Sequence, residues 1–162
     1  MKTAIVLSGG GAKGAYEIGV WKALRKCHIK YDIVTGTSVG ALNGVMMVQK
    51  NYYKAVRVWK KINHSKILEC ENFTDKKEMY KFYVKSSIKG GATVNGLENI
   101  MKKAINEKRF FKSKIDFGIV TYNLSKLKPL ELEKKKIKKG YLAPYVIASA
   151  TCYPFFKKKK ID

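Results

Sequence analysis

Two glycine-rich turns between residues 3 and 40 limit the possible folds of this chain more than any other feature. Residues 3–7 and 31–35 are short apolar runs, and each is followed by a turn and then by a helical pattern. The turns read SGGGAKG at residues 8–14 and GTSVG at residues 36–40. Strand, helix and strand in so short a stretch predict a βαβ unit with parallel strands. If the two strands are neighbours, both turns lie at the carboxyl edge of one sheet, where open α/β sheets place their sites.

The rest of the sequence continues the pattern of an α/β chain. Helical periodicity predicts helices over residues 15–26, 39–49, 52–62, 76–87, 96–107 and 141–149. A third core strand is predicted over residues 115–123, and a neighbouring or antiparallel strand over residues 130–133. No internal repeat and no second domain boundary interrupt the pattern, so a single domain over residues 1–162 is expected.

Three finer expectations concern packing and helix capping. The continuous apolar run at residues 3–7 predicts a strand that is buried on both faces. On the first helix, Tyr16, Val20, Ala23 and Cys27 share one apolar stripe with Leu24, and this stripe is expected to face the core. Asn95, with Glu98 three residues on, predicts a capping box at the start of the helix over residues 96–107.

Composition narrows the cellular setting. Hydrophobic residues make up 46% of the chain, which suits a globular protein and argues against disorder. The sequence contains neither an apolar run long enough to span a bilayer nor a signal peptide. Its three cysteines, Cys27, Cys70 and Cys152, are widely spaced, so neither a disulfide framework nor a metal site is predicted. These features favour a cytoplasmic protein.

The formal net charge of +22 predicts attraction to polyanions, either an anionic lipid surface or a nucleic acid. Nearly all of the positive residues are lysines, and the arginines are Arg25, Arg57 and Arg109. Base-edge readout prefers arginine, so no sequence-specific nucleic acid binding is expected. A bias of the coding sequence toward A and T explains the same lysine content. Three explanations of the charge therefore stay open: peripheral contact of the protein with an anionic membrane, a basic protein that binds polyanions without enzymatic activity, and a bias in composition without a function.

Ser38 lies at the centre of the second turn, which fits the pattern G-x-S-x-G between a strand and a helix. A serine on such a tight turn is held in a strained conformation, and small residues at Gly36 and Gly40 avoid collisions around it. The following helix points its partial positive charge at the serine oxygen. This arrangement predicts a catalytic nucleophile. The competing interpretation is that Ser38 caps the helix, which is a common role for serine.

The first turn fits G-x-G-x-x-G directly after a strand, the fingerprint of NAD- and FAD-binding Rossmann domains. Such a site also needs an acidic residue at the end of the second strand, but Asp32 stands at its beginning. The alternative use of the turn is to bind an oxyanion through the backbone N–H groups of Gly9, Gly10 and Gly11. Lys13 would add positive charge beside them.

Taken together, the two turns resemble the patatin-like phospholipase family. Residues 8–20 are similar to the glycine-rich oxyanion block of the family, with its Arg or Lys, and residues 36–41 are similar to its nucleophile elbow. Weaker similarity continues through residues 120–123 and 147–155. The resemblance spans nearly the whole chain. It implies a three-layer α/β fold with a mostly parallel central sheet flanked by helices.

The resemblance also implies hydrolysis of lipid or phospholipid acyl esters by a Ser-Asp dyad, without a cofactor, a metal or a catalytic histidine. Ser38 is the implied nucleophile, and the first turn is the implied oxyanion hole. In the family the aspartate belongs to a D-G-G or D-G-A motif, which is missing from this sequence. Asp162 has no glycines after it and is not expected to be the base. We therefore expect a chain that ends before its catalytic aspartate and is a weak or inactive hydrolase by itself.

Overall fold

The computed structural model describes residues 1–62, 67 and 75–161, and its central element is a four-stranded sheet. The strands are β1 (Ala4–Leu7), β2 (Ile33–Thr37), β3 (Asp116–Asn123) and β4 (Lys128–Glu133), and they lie side by side in that order. The first three are parallel to one another, and β4 is antiparallel to β3. The predicted α/β fold with a mostly parallel sheet flanked by helices is confirmed.

Seven α-helices occur in the described part of the chain. They are α1 (Gly14–Lys26), α2 (Val39–Val48), α3 (Tyr52–Lys61), α4 (Lys76–Ile88), α5 (Asn95–Ala104), α6 (Glu107–Lys112) and α7 (Leu142–Ala150). Short 3-10 turns occupy Gly11–Lys13 and Lys134–Lys136. Among these helices, none has both the length and the apolar character needed to cross a bilayer.

Helix α2 lies at the centre of the core because its sequence is apolar on all sides. Every residue from Gly40 to Val48 is buried. Gly44 lets the helix approach the sheet closely, since a methyl group there would lie 3.0 Å from Phe117 and 3.2 Å from Val34. Helices α1 and α3 pack on α2, and α7 packs against both α2 and β3. The turn that begins α2 is therefore held by the most buried element of the molecule.

The expectation that the first strand is buried on both faces is wrong for the described residues. β1 is an edge strand, and its side chains alternate between the two faces of the sheet. Leu7 is buried on the face that α2 covers, whereas the side chain of Val6 is 78% exposed on the other face. On β3 the same open face carries Tyr122, which is also exposed. An apolar run alone does not reveal which strand of a sheet is an edge.

The stripe predicted for α1 is wrong except at Leu24, which is half-buried and packs against the core. Ile18 and Trp21 are the buried apolar residues of this helix, while the other predicted members, Tyr16, Val20, Ala23 and Cys27, are exposed. The Trp21 ring packs edge-on against Tyr52 of α3, with 5.2 Å between the ring centroids. The largest apolar side chain therefore decides which face of α1 points inward, and the Tyr16 stripe is turned outward.

The capping box predicted at Asn95 is absent. Helix α5 already includes Asn95, and the preceding residue, Val94, gives no side-chain cap. The predicted continuation to residue 107 is also wrong, because the helix ends at Ala104 and α6 begins after Asn106. The Asn106 side chain accepts a hydrogen bond from the Arg109 N–H at 3.0 Å. An asparagine inside the predicted helix is thus the N-cap of the next one.

Candidate active site

Ser38 connects β2 to α2 in a backbone conformation that is rare for a residue with a side chain. Its φ is 56° and its ψ is −126°, and positive φ at a non-glycine residue costs about 1–3 kcal/mol. The Ser38 side chain makes no capping hydrogen bond to α2, so the helix-cap interpretation finds no support. Because α2 begins at the next residue, its partial positive charge lies at the serine.

The glycines on either side of Ser38 are required by close backbone contacts. Gly36 is the fourth residue of β2, so the strand runs further than predicted and the turn is sharper. A methyl group at Gly36 would collide with the Gly40 carbonyl. One at Gly40 would lie 2.7 Å from the carbonyl oxygens of Leu7 and Ser8. The turn is therefore pressed against the end of β1, and only glycine fits at both positions.

The parallel pairing of β1 with β2 brings the first glycine turn to Ser38, as the sequence predicts. Leu7 pairs with Gly36, and the chain then continues into Gly9. A methyl group at Gly9 would lie 3.2 Å from Ser38 Cβ and 3.9 Å from Ser38 Oγ. Within the described part of the chain, the backbone N–H groups of Gly9 and Gly10 have no hydrogen-bond acceptor. They are available to a negatively charged oxygen beside Ser38.

Lys13 covers the outer side of this turn. Its backbone N–H donates to the Gly10 carbonyl at 3.1 Å, which closes the turn before α1. Gly10 has a φ of 157°, and a methyl group there would lie 3.3 Å from Lys13 Cβ. Gly11 follows with a φ of 54°. The lysine side chain is exposed next to the turn, where it adds positive charge.

Ser149, on α7, is a site residue that the sequence reasoning missed. Its Oγ accepts a hydrogen bond from the Ser38 backbone N–H at 2.7 Å and donates one to the Val120 carbonyl at 2.6 Å. Val120 pairs with Thr37, the residue just before the turn. A single hydroxyl therefore joins the turn, β3 and α7. In the sequence, Ser149 lies between Ala148 and Ala150, and nothing in this segment indicates a hydrogen-bond partner for its hydroxyl.

Asn43 connects the glycine turn to α2 and was also missed. It is 1% exposed, and each of its polar atoms has a partner. Its Nδ2 donates to the Gly14 carbonyl at 2.9 Å and to Glu17 Oε2 at 2.8 Å, and its Oδ1 accepts from Trp59 Nε1 at 2.8 Å. An asparagine within an apolar helix needs such partners, and this requirement is the signal that could have identified it.

Glu17 lies where the glycine turn meets α1. Burial raises the pKa of its carboxyl group, although the hydrogen bond from Asn43 and the nearby Ser8 backbone N–H act in the opposite direction. A cleft of about 380 Å³ opens beside it, lined by Ser8, Gly9, Lys13, Gly14, Tyr16 and Glu17. Ser38 is not among the residues that line this cleft. The carboxylate thus supports the turn, since it accepts a hydrogen bond from Asn43, which also binds the Gly14 carbonyl.

No aspartate in the described part of the chain is placed to take a proton from Ser38. Asp32 precedes β2, and its carboxylate accepts a hydrogen bond from the Thr3 N–H at 2.9 Å. Asp116 begins β3 beside it, at the edge of the sheet opposite to Ser38. Asp75 caps α4 by accepting from the Glu78 N–H. Asp162 lies outside the described residues.

The position of Asp32 also bears on the nucleotide-binding alternative. A ribose-binding acid belongs at the carboxyl end of β2. That end carries Ser38, whereas the Asp32 carboxylate is held at the opposite end of the strand. Within residues 1–62, 67 and 75–161, no cluster of three or more His, Cys, Asp or Glu side chains has the form of a metal site.

Comparison with known proteins gives a consistent result. The model of the family described as patatin-like phospholipase matches residues 5–162. The rat protein named patatin-like phospholipase domain-containing protein 7 is 42% identical over 55 residues, which are 34% of this chain and 4% of that protein. The lysophospholipase nte1 of Aspergillus terreus is 52% identical over 42 residues, or 26% of this chain and 3% of its own length.

Two further proteins match nearly the whole chain. The cUMP-AMP-activated phospholipase of Escherichia coli is 26% identical over 174 residues, covering 97% of this chain and 49% of that protein. The crystal structure of VipD from Legionella pneumophila superposes with a TM-score of 0.63 at 15% identity, over 96% of this chain and 43% of VipD. The second likeness shows the fold alone. This chain thus spans at most about half the length of these relatives.

Proposed function

The chain belongs to the patatin-like phospholipase family, and on that premise we propose that it carries the nucleophile and the oxyanion hole of a lipid acyl hydrolase. The observation that carries the proposal is the contact between Gly9 and Ser38, because it brings unpaired backbone N–H groups to a strained serine. Curated relatives named as a phospholipase and a lysophospholipase support acyl esters of phospholipids or lysophospholipids as the substrate class.

In the proposed reaction, Ser38 Oγ attacks the carbonyl carbon of the ester and loses its proton to a carboxylate base. The carbonyl oxygen becomes an oxyanion, which accepts hydrogen bonds from the N–H groups of Gly9 and Gly10, with Gly11 and Lys13 beside them. Collapse breaks the bond to the leaving alcohol, which takes up the proton. Water then attacks the acyl-serine carbonyl and gives a proton to the same base. Collapse breaks the bond to Ser38 Oγ, which takes up that proton, and releases the fatty acid.

We infer that the base lies outside residues 1–62, 67 and 75–161. Asp32, Asp75 and Asp116 are each held elsewhere by the contacts given above. The proposed Ser-Asp dyad therefore requires Asp162 or a carboxylate supplied by a longer protein. Without such a base, loss of general-base assistance lowers turnover by about 10²–10⁴-fold.

The test measures the fatty acid that is released from lysophosphatidylcholine and phosphatidylcholine by this chain and by any longer product that its gene encodes. We expect Ser38→Ala to abolish release of fatty acid. The control is Ser113→Ala, which should retain it, because Ser113 is distant in the sequence and its Oγ accepts a hydrogen bond from the Ile115 N–H. Fatty acid release that survives Ser38→Ala would contradict the proposed nucleophile. Ser38-dependent turnover by this chain alone at ordinary enzyme rates would place the base within residues 1–162.

A further inference from the structure

Helix α4 exposes an apolar stripe on its outward side. Tyr80, Val84 and Ile88 are 71%, 40% and 83% exposed, respectively. They are spaced four residues apart, so they form one continuous line along the helix. Its opposite side faces the protein, since the Tyr83 ring packs edge-on against Phe155 and Phe156 at centroid distances of 5.8 Å and 6.2 Å. Exposure of so much of the apolar surface of Ile88 to water is energetically unfavourable.

Lysines lie beside this stripe at the same spacing. Lys77, Lys81 and Lys85 are all exposed and occupy successive turns of α4. Lys76 and Lys89 stand at its two ends. The acidic residues of this region are Asp75, whose carboxylate caps the helix, and Glu78. The outward face is therefore both apolar and positively charged.

Helix α4 is attached to the segment that follows α7. Residues 155–157 pair with the segment after α4 through two hydrogen bonds, from the Ala92 N–H to the Phe155 carbonyl and from the Lys157 N–H to the Ala92 carbonyl. The same segment follows α7, which carries Ser149 beside Ser38. Tyr153 and Phe155 in this segment are also partly exposed, and Lys158 Nζ lies 4.7 Å from the Tyr153 ring.

We propose that α4 is an interfacial helix that binds the surface of an anionic phospholipid bilayer. The docking surface, here called the α4 face, consists of Lys77, Tyr80, Lys81, Val84, Lys85 and Ile88. The apolar side chains enter the boundary between headgroups and acyl chains, while the lysine stems lie along it and their ammonium groups reach the phosphates.

This combination favours a lipid surface over a nucleic acid. Contact with a phosphate backbone uses lysines but gives no energetic role to an exposed Val84 and Ile88. A bilayer uses both kinds of side chain at once. Binding of α4 to a bilayer does not depend on the proposed hydrolysis at Ser38, because it involves no bond cleavage. A chain that is held at a bilayer by α4 would meet acyl esters at a high local concentration.

The test is co-sedimentation with vesicles made of equal parts phosphatidylcholine and phosphatidylglycerol, or of phosphatidylcholine alone. Every protein carries Ser38→Ala, so that lipid is not consumed and the result does not depend on the proposed nucleophile. The charge variant is Lys77→Gln, Lys81→Gln, Lys85→Gln. Its matched control removes the same net charge from exposed loops through Lys126→Gln, Lys138→Gln, Lys139→Gln. An apolar variant carries Tyr80→Gln, Val84→Gln, Ile88→Gln.

We expect the protein to bind the vesicles that contain phosphatidylglycerol and to be released by salt. The charge variant should bind them on the order of 100-fold more weakly, and the loop control should bind them like the parent. The apolar variant should lose roughly 10-fold or more, with circular dichroism confirming that all variants are folded.

Three results would overturn the proposal. The first is equal weakening, or none, in the charge variant and the loop control, which would attribute any binding to the overall charge of +22. The second is unchanged binding of the apolar variant. The third is tighter binding to duplex DNA than to the anionic vesicles, with the same dependence on Lys77, Lys81 and Lys85.

Discussion

Replacement of Ser149 by alanine should loosen the turn that carries Ser38. The change removes the acceptor of the Ser38 N–H and the donor to the Val120 carbonyl. A backbone N–H left without a partner in a partly buried position costs about 1–3 kcal/mol. In a domain of this length, each kcal/mol lowers Tm by about 2–4 °C. Ser149→Ala should therefore lower Tm by about 2–12 °C, as measured by circular dichroism on this chain.

The same substitution should slow catalysis more than it weakens substrate binding. Ser38 holds a positive φ only while its surroundings oppose relaxation, and displacement of a reacting atom by about 1 Å costs on the order of 100-fold in rate. We expect kcat of the active hydrolase to fall by about this factor while KM stays within roughly threefold, because Ser149 acts through its hydrogen bond to the Ser38 N–H. Ser149→Thr, which keeps a hydroxyl, should restore part of the rate.

Ser87→Ala is the matched control. Ser87 also lies in a helix and is also partly buried, and its Oγ donates to the Tyr83 carbonyl at 2.8 Å. Its loss leaves no backbone N–H unpaired, so Tm and kcat should stay close to those of the parent. The reasoning is refuted if Ser149→Ala unfolds at the parental temperature and keeps the parental kcat, or if Ser87→Ala is equally damaging.

Three further substitutions test the framework of the site. Gly40→Ala should lower the free energy of unfolding, measured in urea, by roughly 1–3 kcal/mol, because the added methyl group would collide with β1. Gly19→Ala is the control: its methyl group meets nothing within 4 Å, so it should raise the free energy of unfolding by about 1 kcal/mol. Equal effects of the two substitutions would contradict the close contact at Gly40. Asn43→Leu should lower it by about 2–4 kcal/mol by leaving the partners of Asn43 unpaired, and an unchanged urea midpoint would argue against that network. Burial raises the pKa of the Glu17 carboxyl group in the folded protein above its value in the unfolded chain. As pH rises from the unfolded-state pKa through the folded-state pKa, the contribution of this group to the free energy of unfolding therefore falls. The Tm of Glu17→Gln minus that of the parent should accordingly increase from pH 4 to pH 7, and a constant difference would remove Glu17 as the cause.

Much of the site could be predicted because local sequence determines it. The glycine turn and the turn around Ser38 each follow an apolar run directly, and parallel pairing of two adjacent strands is enough to bring them together. The small residues at Gly36 and Gly40 identify the tight turn without any knowledge of the core. These features depend on residues that are close in sequence, so a pattern of about forty residues contains them.

The supports of the site could not be predicted, because they join residues that are far apart in sequence. Ser149 lies 111 positions after Ser38, and nothing near either residue indicates the pairing. Asn43 meets Trp59 and Glu17 only once α1, α2 and α3 have packed. The inward face of α1 is likewise a matter of tertiary packing, since Trp21 packs against Tyr52 of α3. Helical periodicity gives the spacing of a stripe, but competition between two apolar stripes is decided by their partners.

These supports hold the two halves of the site separately. Ser149 fixes Ser38 to β3 and α7, whereas Asn43 fixes the glycine turn to α2 through Gly14 and Glu17. Asn43 lies on α2, the most buried helix, and this helix begins immediately after Ser38. The serine and the glycine turn are therefore each held beside the start of α2 by a separate contact. Loss of Ser149 should displace the nucleophile and leave the turn in place, and loss of Asn43 should do the reverse, so the same catalytic defect can arise from either side.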